Sequence, residues 1–372
     1  MPNRYQQCSK ESLLVPEYPF LRQDWLQAFV SSGAVAPAGP GDGSGWQDLS
    51  VRDARGEYLL PLYRKLHSWG EYVFDQSWAR AYARHGLDYY PKLITAVPYT
   101  PITGPRWVLP PGVTDAAGWL WPQVEAALAD RQASGWHLLF PDDRARQALA
   151  DLPLVARQAC HFRWFNRDYR SFDDFLAALV SRKRKSLRRE RVRITEQGLR
   201  IERAAGEAIP DDWWQAFYPC YADTYLRRGQ APYLSEGFFR ALRAHLPGQL
   251  MLVAAFDDDP TLPVAMALYL FDDERLYGRY WGALRDYDAL HFELCYYQGI
   301  EFSIERGLQE FDPGVQGEHK LLRGFEPVIT WSLHHLVEPA FQRAVAEFCR
   351  EEAVAVAAYQ AEARTLLPFR HP

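Results

Sequence analysis

The sequence predicts an α+β protein built as two lobes in tandem. Its 372 residues suit two domains at roughly 150 residues each. Residues 250–256, 263–271 and 275–283 form three apolar runs separated by the acidic turns DDDPT and DDE, which reads as an antiparallel meander. A short passage also recurs in both halves. One helix ends Arg84-His85-Gly86-Leu87 before Tyr90-Pro91, and another ends Glu305-Arg306-Gly307-Leu308 before Asp312-Pro313. Strands, a helix, a glycine and a further strand in each half give a tandem layered arrangement. The boundary is expected near residues 160–168, which leaves 1–165 and 166–372 as the two lobes.

The elements follow in order. The first 30 residues read as a helix-forming lead-in, and residues 31–45, rich in Gly, Pro, Ala and Ser, as a loop. Residues 46–65 read as a hairpin turning at Asp53-Ala-Arg-Gly56. A helix is expected over 75–85, capped by Asp75 and stopped by Gly86. A strand and a proline-rich loop follow over 87–105, then a helix over 117–131 and the strand HLLF. In the second half a helix starts at 172 and continues through the basic run to Gly198, with the strand LRIERA after it. A helix over 211–227 has Asp211 as its expected N-cap. Beyond the meander come a helix over 289–305, the strand LQEF and an Ala-rich helix over 338–365.

Hydrophobic residues make up 48% and charged residues 24%, a balance that excludes wholesale disorder. The five cysteines are widely spaced and odd in number, against a disulfide framework or structural zinc site, and no metal site is expected. The start MPNRYQQCSKES lacks the apolar stretch of a secretory signal, and no segment is long and apolar enough to span a bilayer. A cytoplasmic setting is expected. Dinucleotide, P-loop, zincin and α/β-hydrolase motifs are absent.

Residues 182–193 hold eight Lys/Arg and one acid, a local charge of +7 on a chain whose total is −5. A basic island on an acidic chain suits a placed anion site better than general nucleic-acid affinity, and no DNA partner is expected. On a helix, Arg184, Arg188 and Arg191 lie at i, i+4, i+7, and Lys185, Arg188 and Arg189 share much of that face. Phosphate binding is one reading, and a solvated helix face is the other. The segment FDPGVQGEHKLLRGFEP brings Asp312, Glu318, His319, Lys320 and Arg323 among three glycines. A carboxylate beside an imidazole suits acid–base work on an attacking amine, and Lys320 or Arg323 suits an oxyanion. One Glu–His pair does not by itself identify the base.

Arg285 lies in the loop between Trp281 and the helix that begins near His291, where free N–H groups favour an anion. Tyr277, Tyr280, Trp281, Tyr287, Tyr296 and Tyr297 supply aromatic surface there, part of it core. In the first half, SWGEYVFDQSW sets Glu71, Tyr72 and Asp75 close together, carboxylates that suit an amine or a sugar. Tyr221, Tyr225 and Arg228 line one side of the 211–227 helix, a pocket edge or an amphipathic face.

The strings GEYVFD and GLDYYPKL, then SRKRKSLRRE, HFELCYYQGIEFSIERGL and PGVQGEHKLLRGFEP, together resemble the FemAB-like family of peptidoglycan biosynthesis/recognition proteins, in the GNAT acyltransferase superfamily. The resemblance covers nearly the whole chain. It implies tandem GNAT-like domains, each a mixed, mostly antiparallel sheet flanked by helices. The second half is more distantly similar to the Fem aminoacyltransferases, which use aminoacyl-tRNA as donor. Their closing Phe-Lys-x-Gly-Phe/Tyr corresponds to Leu321-Leu322-Arg323-Gly324-Phe325. Leu322 stands at the family's lysine; Lys320, on the same face if the segment is a strand, or Arg323 would substitute. The stretch Trp281–Asp288 lacks the second glycine of the acetyl-CoA pyrophosphate turn.

The resemblance implies an N-acyltransferase that passes an acyl or aminoacyl group to an amine acceptor, with a peptidoglycan precursor as the candidate acceptor. No cofactor is held tightly; acyl-CoA or aminoacyl-tRNA is the cosubstrate. Glu318, His319 and Lys320 are the expected catalytic residues. Lys183, Arg184, Arg188, Arg189, Arg285 and Arg323 are expected at the donor phosphates. Glu71, Tyr72, Asp75, Tyr225, Trp281 and His291 are expected at the acceptor. The alternative is a binding module without turnover that holds a cell-wall precursor or another phosphorylated ligand.

Overall fold

The computed structural model describes residues 18–37, 45–315 and 317–370. Most of the expected lead-in, Cys8 and part of the 31–45 loop lie outside these residues. Within them a 3₁₀ turn (Pro19–Leu21) leads into α1 (Gln23–Ser31), then the strands β1 (Trp46–Asp48), β2 (Val51–Arg52), β3 (Tyr58–Leu60) and β4 (Tyr63–Lys65). The β2–β3 hairpin turns where expected: Asp53 Oδ1 accepts from the N–H groups of Arg55 and Glu57. There follow α2 (Gln76–Arg84), β5 (Lys92–Thr95), α3 (Ala116–Arg131), β6 (Gly135–Leu139), α4 (Asp143–Ala148) and β7 (Val155–Phe165). The second half runs α5 (Phe172–Ala178), α6 (Ser181–Glu196), β8 (Arg200–Ala205), α7 (Asp211–Leu226) and α8 (Glu236–His245). Next come β9 (Leu250–Phe256), β10 (Ala265–Phe271), β11 (Arg275–Ala283), α9 (Leu290–Phe292), a π-helical turn (Glu293–Tyr297) and α10 (Gln298–Arg306). β12 (Glu310–Asp312), a 3₁₀ turn (Glu318–Arg323), β13 (Glu326–Leu336) and α11 (Pro339–Thr365) complete the chain. No helix among the described residues is long and apolar enough to cross a membrane.

The class is α+β, with one large mixed sheet. Eleven strands run in the order β1-β4-β5-β6-β13-β7-β12-β11-β10-β9-β8, and only β5–β6 and β11–β12 pair in parallel. The sheets of the two halves are therefore joined edge to edge. The joint is β7 and β13, eleven residues each. β13 pairs with β6 through Ser332–Leu336 and with β7 through Glu326–His334, while β7 reaches β12 through Trp164 and Phe165. The expected boundary at residue 165 thus falls at the end of β7, and β13, from beyond that boundary, pairs with β6 of the first half.

The meander β9–β11 forms as its sequence implies. Every residue of β9 is buried, because Leu252, Ala254 and Phe256 enter the core on one face and Met251, Val253 and Ala255 the core on the other. A strand covered on both faces reads as a continuous apolar run rather than an alternating one. The first face packs on α1, α7 and α8 through Trp25, Phe29, Phe217, Tyr221 and Phe238; the second meets α5, α6 and α10 through Phe175, Leu187, Ile194 and Ile300.

Four expectations need correction. The helix expected to run unbroken from residue 172 to Gly198 is two helices, because Leu179 and Val180 are extended. The cap of α7 is Pro210; Asp211 is its first helical residue and bonds to Arg243. Asp75 precedes α2 but its carboxylate accepts no hydrogen bond from that helix. The helix after β11 carries a π turn at 293–297.

Candidate active site

The site is built by a divergence of strands. β11 pairs in parallel with β12 only from Arg275 to Tyr277; beyond Asp312 the chain leaves the sheet at Pro313. The rest of β11 faces a wedge between itself and the glycine-rich segment 313–320. A bulge sharpens the opening: Leu268 of β10 opposes Tyr280 and Tyr269 opposes Gly278, which leaves Arg279 as the extra residue. Bulges re-aim side chains next to sites, and here Arg279 lines the resulting cavity. The cavity holds about 490 Å³. α7 is tied to its roof by Thr224 Oγ1, which donates to the Trp281 carbonyl at 3.1 Å, and sets Arg228 at the rim.

Four of the expected residues, Trp281, His291, His319 and Lys320, line this one cavity. Lys320 is 1% exposed, and its Nζ donates to the Gly314 carbonyl at 2.5 Å. Burial pulls the ammonium down to about 8 against the opposing charge of Asp312. Asp312 in turn accepts from the Gly314 N–H at 2.9 Å, so β12 ends by fixing the loop that holds Lys320. His319 Nε2 and the Tyr296 hydroxyl lie 2.8 Å apart. Burial, then the charges of Arg323 and Lys320, keep His319 below the usual imidazole range. His291 is held to about 4 for similar reasons and packs edge-on against Trp281, Tyr296 and His319. The cavity wall among the described residues has three cationic side chains, Lys320, Arg228 and Arg279, and no Asp or Glu. Such a wall favours an anionic ligand or a developing oxyanion.

The π turn places Cys295 and Tyr296 on the cavity wall, while the next residue, Tyr297, turns to Glu190 and Arg323. Single π turns inside helices recur at functional sites. Burial keeps the Cys295 thiol protonated, so it supplies no nucleophile. Gly317 has φ +105°, and a Cβ there would lie 2.3 Å from His319 Cε1. Gly317→Ala is therefore expected to displace the imidazole and break its bond to Tyr296. Loss of the His319–Tyr296 contact is the structural readout, with little change in the melting temperature expected.

The remaining expected catalytic and donor residues are distributed elsewhere. The Glu318 carboxylate accepts from Tyr359 of α11 at 2.9 Å and does not face the cavity. The 318–323 segment is a 3₁₀ turn, not a strand, so Lys320 and Leu322 do not share a face: Lys320 is buried and Leu322 is 41% exposed. Lys320 instead shares its side with Arg323, three residues on. Arg323 is held inside by Glu190 at 2.9 and 3.0 Å, by the Tyr297 hydroxyl at 3.0 Å and by the Phe292 ring at 3.4 Å. It braces the site and is not free for a phosphate. Arg285 pairs with Asp257 and lies outside the cavity.

α6 divides into two parts. Arg191 is clamped between Glu293 and Glu301, and Glu190 holds Arg323, so its second half fastens the π turn and the 3₁₀ turn. The first half faces outward. Lys183, Arg184 and Arg189 have no side-chain partner among the described residues, and Arg188 pairs with the exposed Asp173 at 2.8 Å.

Glu71 and Asp75 do not reach either large cavity. They close on Lys92, which is fully buried; its Nζ is 2.8 Å from Glu71 Oε2 and from Ser68 Oγ, and it also bonds to Asp75. Tyr89 donates to Asp75 at 2.7 Å, and Tyr89 also contacts His137, which meets His334 at 2.7 Å. This explains the missing cap: the Asp75 carboxylate serves an interior ammonium instead. Burial works against the charge of Asp75, yet Lys92 holds it below the usual carboxylate range; Glu71 rises to about 7 through burial and its neighbour Asp75. Tyr72 lines a second cavity; Tyr225 lines neither cavity and packs on Tyr221 and Tyr233.

Sequence reasoning does not single out Arg279 or Lys92; it gives Arg228 only as a pocket edge or amphipathic face and Tyr296 only as aromatic surface. The signal for Arg279 would have been the bulge, which is a property of pairing. That for Lys92 would have been a lysine inside an apolar strand run, KLIT, next to two buried-type carboxylates.

The architecture is α+β: a mixed sheet that splits at a parallel pair, with a cationic cavity in the split. The chain belongs to the FemAB-like family, described as peptidoglycan biosynthesis/recognition, which residues 2–371 match. No curated protein sequence matches it. Among solved structures it is similar to FemX, at 12% identity over 88% of this chain and 94% of that one, TM-score 0.49. It is also similar to L-PGS from Bacillus licheniformis, at 9% identity over 82% and 89%, TM-score 0.48. A tandem GNAT protein from the clavulanic acid biosynthesis pathway aligns at 10% identity over 85% and 94%, TM-score 0.41.

Proposed function

We propose that this chain transfers an acyl or aminoacyl group from an activated ester or thioester to an amine, within the wedge beside β11. The observation that carries the reading is a buried lysine and a neutral histidine in one cavity whose described wall has no carboxylate. The amine attacks the carbonyl carbon and a C–N bond forms. The Lys320 ammonium stabilises the tetrahedral oxyanion. The amine proton passes through the Tyr296 hydroxyl to His319 Nε2 and returns to the departing oxygen or sulfur as the ester or thioester bond breaks. Lys183, Arg184 and Arg189 supply charge for the phosphates of a donor, either aminoacyl-tRNA or acyl-CoA. The family's description supports a peptidoglycan precursor as acceptor; aminoacyl-tRNA and acyl-CoA are cytoplasmic molecules, which supports a cytoplasmic reaction.

The test is donor binding at physiological salt, with acetyl-CoA, CoA, uncharged tRNA and charged tRNA. Charged tRNA should bind, and the Lys183→Ala/Arg184→Ala/Arg189→Ala variant should weaken it and flatten its salt dependence by about three phosphate contacts. Saturable CoA binding would assign the thioester donor instead. Binding of neither class would overturn the reading. A second reading, recognition without turnover, is favoured by one observation: the Glu318 carboxylate bonds Tyr359 and leaves His319 without an acidic partner. Single-turnover assays that show a bound donor but no product would select it.

A further inference from the structure

A second cavity of about 460 Å³ lies against β7, β13 and α11, and nothing in the proposed chemistry uses it. The geometry points to it as the seat of an uncharged apolar chain on one of the two substrates, whose reacting end extends into the Lys320 cavity; this rests on the transfer reading above.

Its lining separates it from its neighbour. Phe162 and Trp331 come from the sheet, Val356 and Tyr359 from α11, and Tyr72 and Phe74 from the segment before α2. The polar groups present are already neutral or paired. Arg157 is bidentate to Glu352 at 2.7 and 2.8 Å and donates to the Phe74 carbonyl at 2.9 Å. The Ser332 hydroxyl is bonded to His334 at 2.8 Å. Burial holds His161 to about 4 and pushes the Cys160 thiol up to about 11. The lining therefore carries no net charge at neutral pH, and a charged aminoacyl ammonium gains nothing there. The volume is that of an ordinary small-ligand pocket, and apolar walls with few placed polar groups are the usual make-up of one.

The two cavities are neighbours. Val315 lines both, between Gly314 and Gly317 in the loop that carries Lys320. His161 on the apolar side feels the charges of Asp312 and Lys320 on the other. An amphipathic substrate matches this division: its chain lies among the aromatics, and its carbonyl or amine passes Val315 into the cationic wedge. Phe74 is 56% exposed at the mouth, where an entering chain would cover it.

The test is a chain-length series on the full protein: butyl-, hexyl-, octyl- and decylamine, and the matching acyl-CoA thioesters, followed by calorimetry. Affinity should rise roughly threefold to fourfold per methylene in one series until the cavity is full. A slope among the amines makes the acceptor the apolar partner, and a slope among the thioesters makes it the donor. A flat response in both overturns the proposal. Ala159 and Ala355 are small, exposed and line the cavity. Ala159→Trp and Ala355→Trp should fill it without displacing the core and remove the slope; an unchanged slope in both overturns it too. Lys320→Met separates the two readings. It should leave the chain-length slope intact while lowering transfer by about 10²–10³-fold, and undiminished transfer in Lys320→Met would sink the reaction site without touching the slope.

Discussion

Lys320→Met should lower the rate of transfer by about 10²–10³-fold, as removal of an oxyanion-stabilising donor does elsewhere. The fold should not suffer with it. Lys320 is fully buried and its one side-chain partner is the Gly314 carbonyl. Its pKa falls from 10.5 to about 8, chiefly through burial, which corresponds to roughly 3 kcal/mol against carrying the charge inside. A methionine of similar length removes that burden and leaves one carbonyl unpaired, at about 1–3 kcal/mol. The melting temperature should stay level or rise. A stabilised protein without activity is the signature of a side chain kept for chemistry.

The same lysine sets the alkaline limb of activity. It acts as an ammonium, so kcat/KM should fall as pH rises through about 8. His319 must be neutral, and its lowered pKa keeps it so through the physiological range, so the acid limb lies below the ordinary histidine value. Stability runs the other way. The folded-state pKa of Lys320 is depressed, so between about 8 and 10.5 the unfolded chain binds a proton that the folded chain has shed. This group's contribution therefore makes the protein more stable as pH climbs through that window while activity declines. Lys320→Met should abolish this part of the stability slope, measured by denaturant melts at pH 8 and above.

How much of this was legible in the sequence depends on how local each feature is. β9 and β10 announced themselves because burial on both faces leaves only apolar side chains. Gly86 and Gly307 marked helix ends, and both take the left-handed conformation such ends favour. His319 and Lys320 stood out because titratable groups crowded among glycines are rare in any loop. β7 and β13 escaped, although they are the longest strands. Their partners are far away in sequence, and the face of β7 that lines the apolar cavity carries Arg157, Ala159 and His161 rather than a hydrophobic row. The bulge that frees Arg279 and the π turn that aims Tyr296 are properties of register, which no single segment encodes. Lys92 was missed, and Asp75 was read as a cap and an acceptor residue, for the clearest reason. A lysine reads as exposed and an aspartate before a helix reads as a cap, until the fold brings them together.

Lys92→Ala should destabilise the protein by about 3–5 kcal/mol, the usual effect of removing one partner from a buried ion pair. The ammonium is fully buried with Glu71 and Asp75, each 3% exposed or less, and with Ser68. Without it, the Asp75 carboxylate would be left in the interior with the Tyr89 hydroxyl as its remaining bond. A fall in melting temperature on the order of 5–10 °C is expected for a chain of this length. Glu71→Gln should matter far less, because Glu71 already sits at about 7 and is half neutral near physiological pH. The combination Lys92→Met/Glu71→Gln/Asp75→Asn should recover most of the loss, since it removes the charges together. The pH dependence has a definite sign. His137, at about 3, and His334, well below its ordinary value, stay neutral in the folded state, so below pH 6.5 the unfolded chain takes up protons that the folded chain refuses. Stability from these groups is full above 6.5 and is lost as pH falls. Glu71 opposes this between 4.5 and about 7, because there the folded state holds the extra proton. Glu71→Gln removes that opposition and should steepen the acid side of the stability curve, whereas without Lys92 burial raises both carboxylates, the folded state takes up their protons and the acid side should flatten.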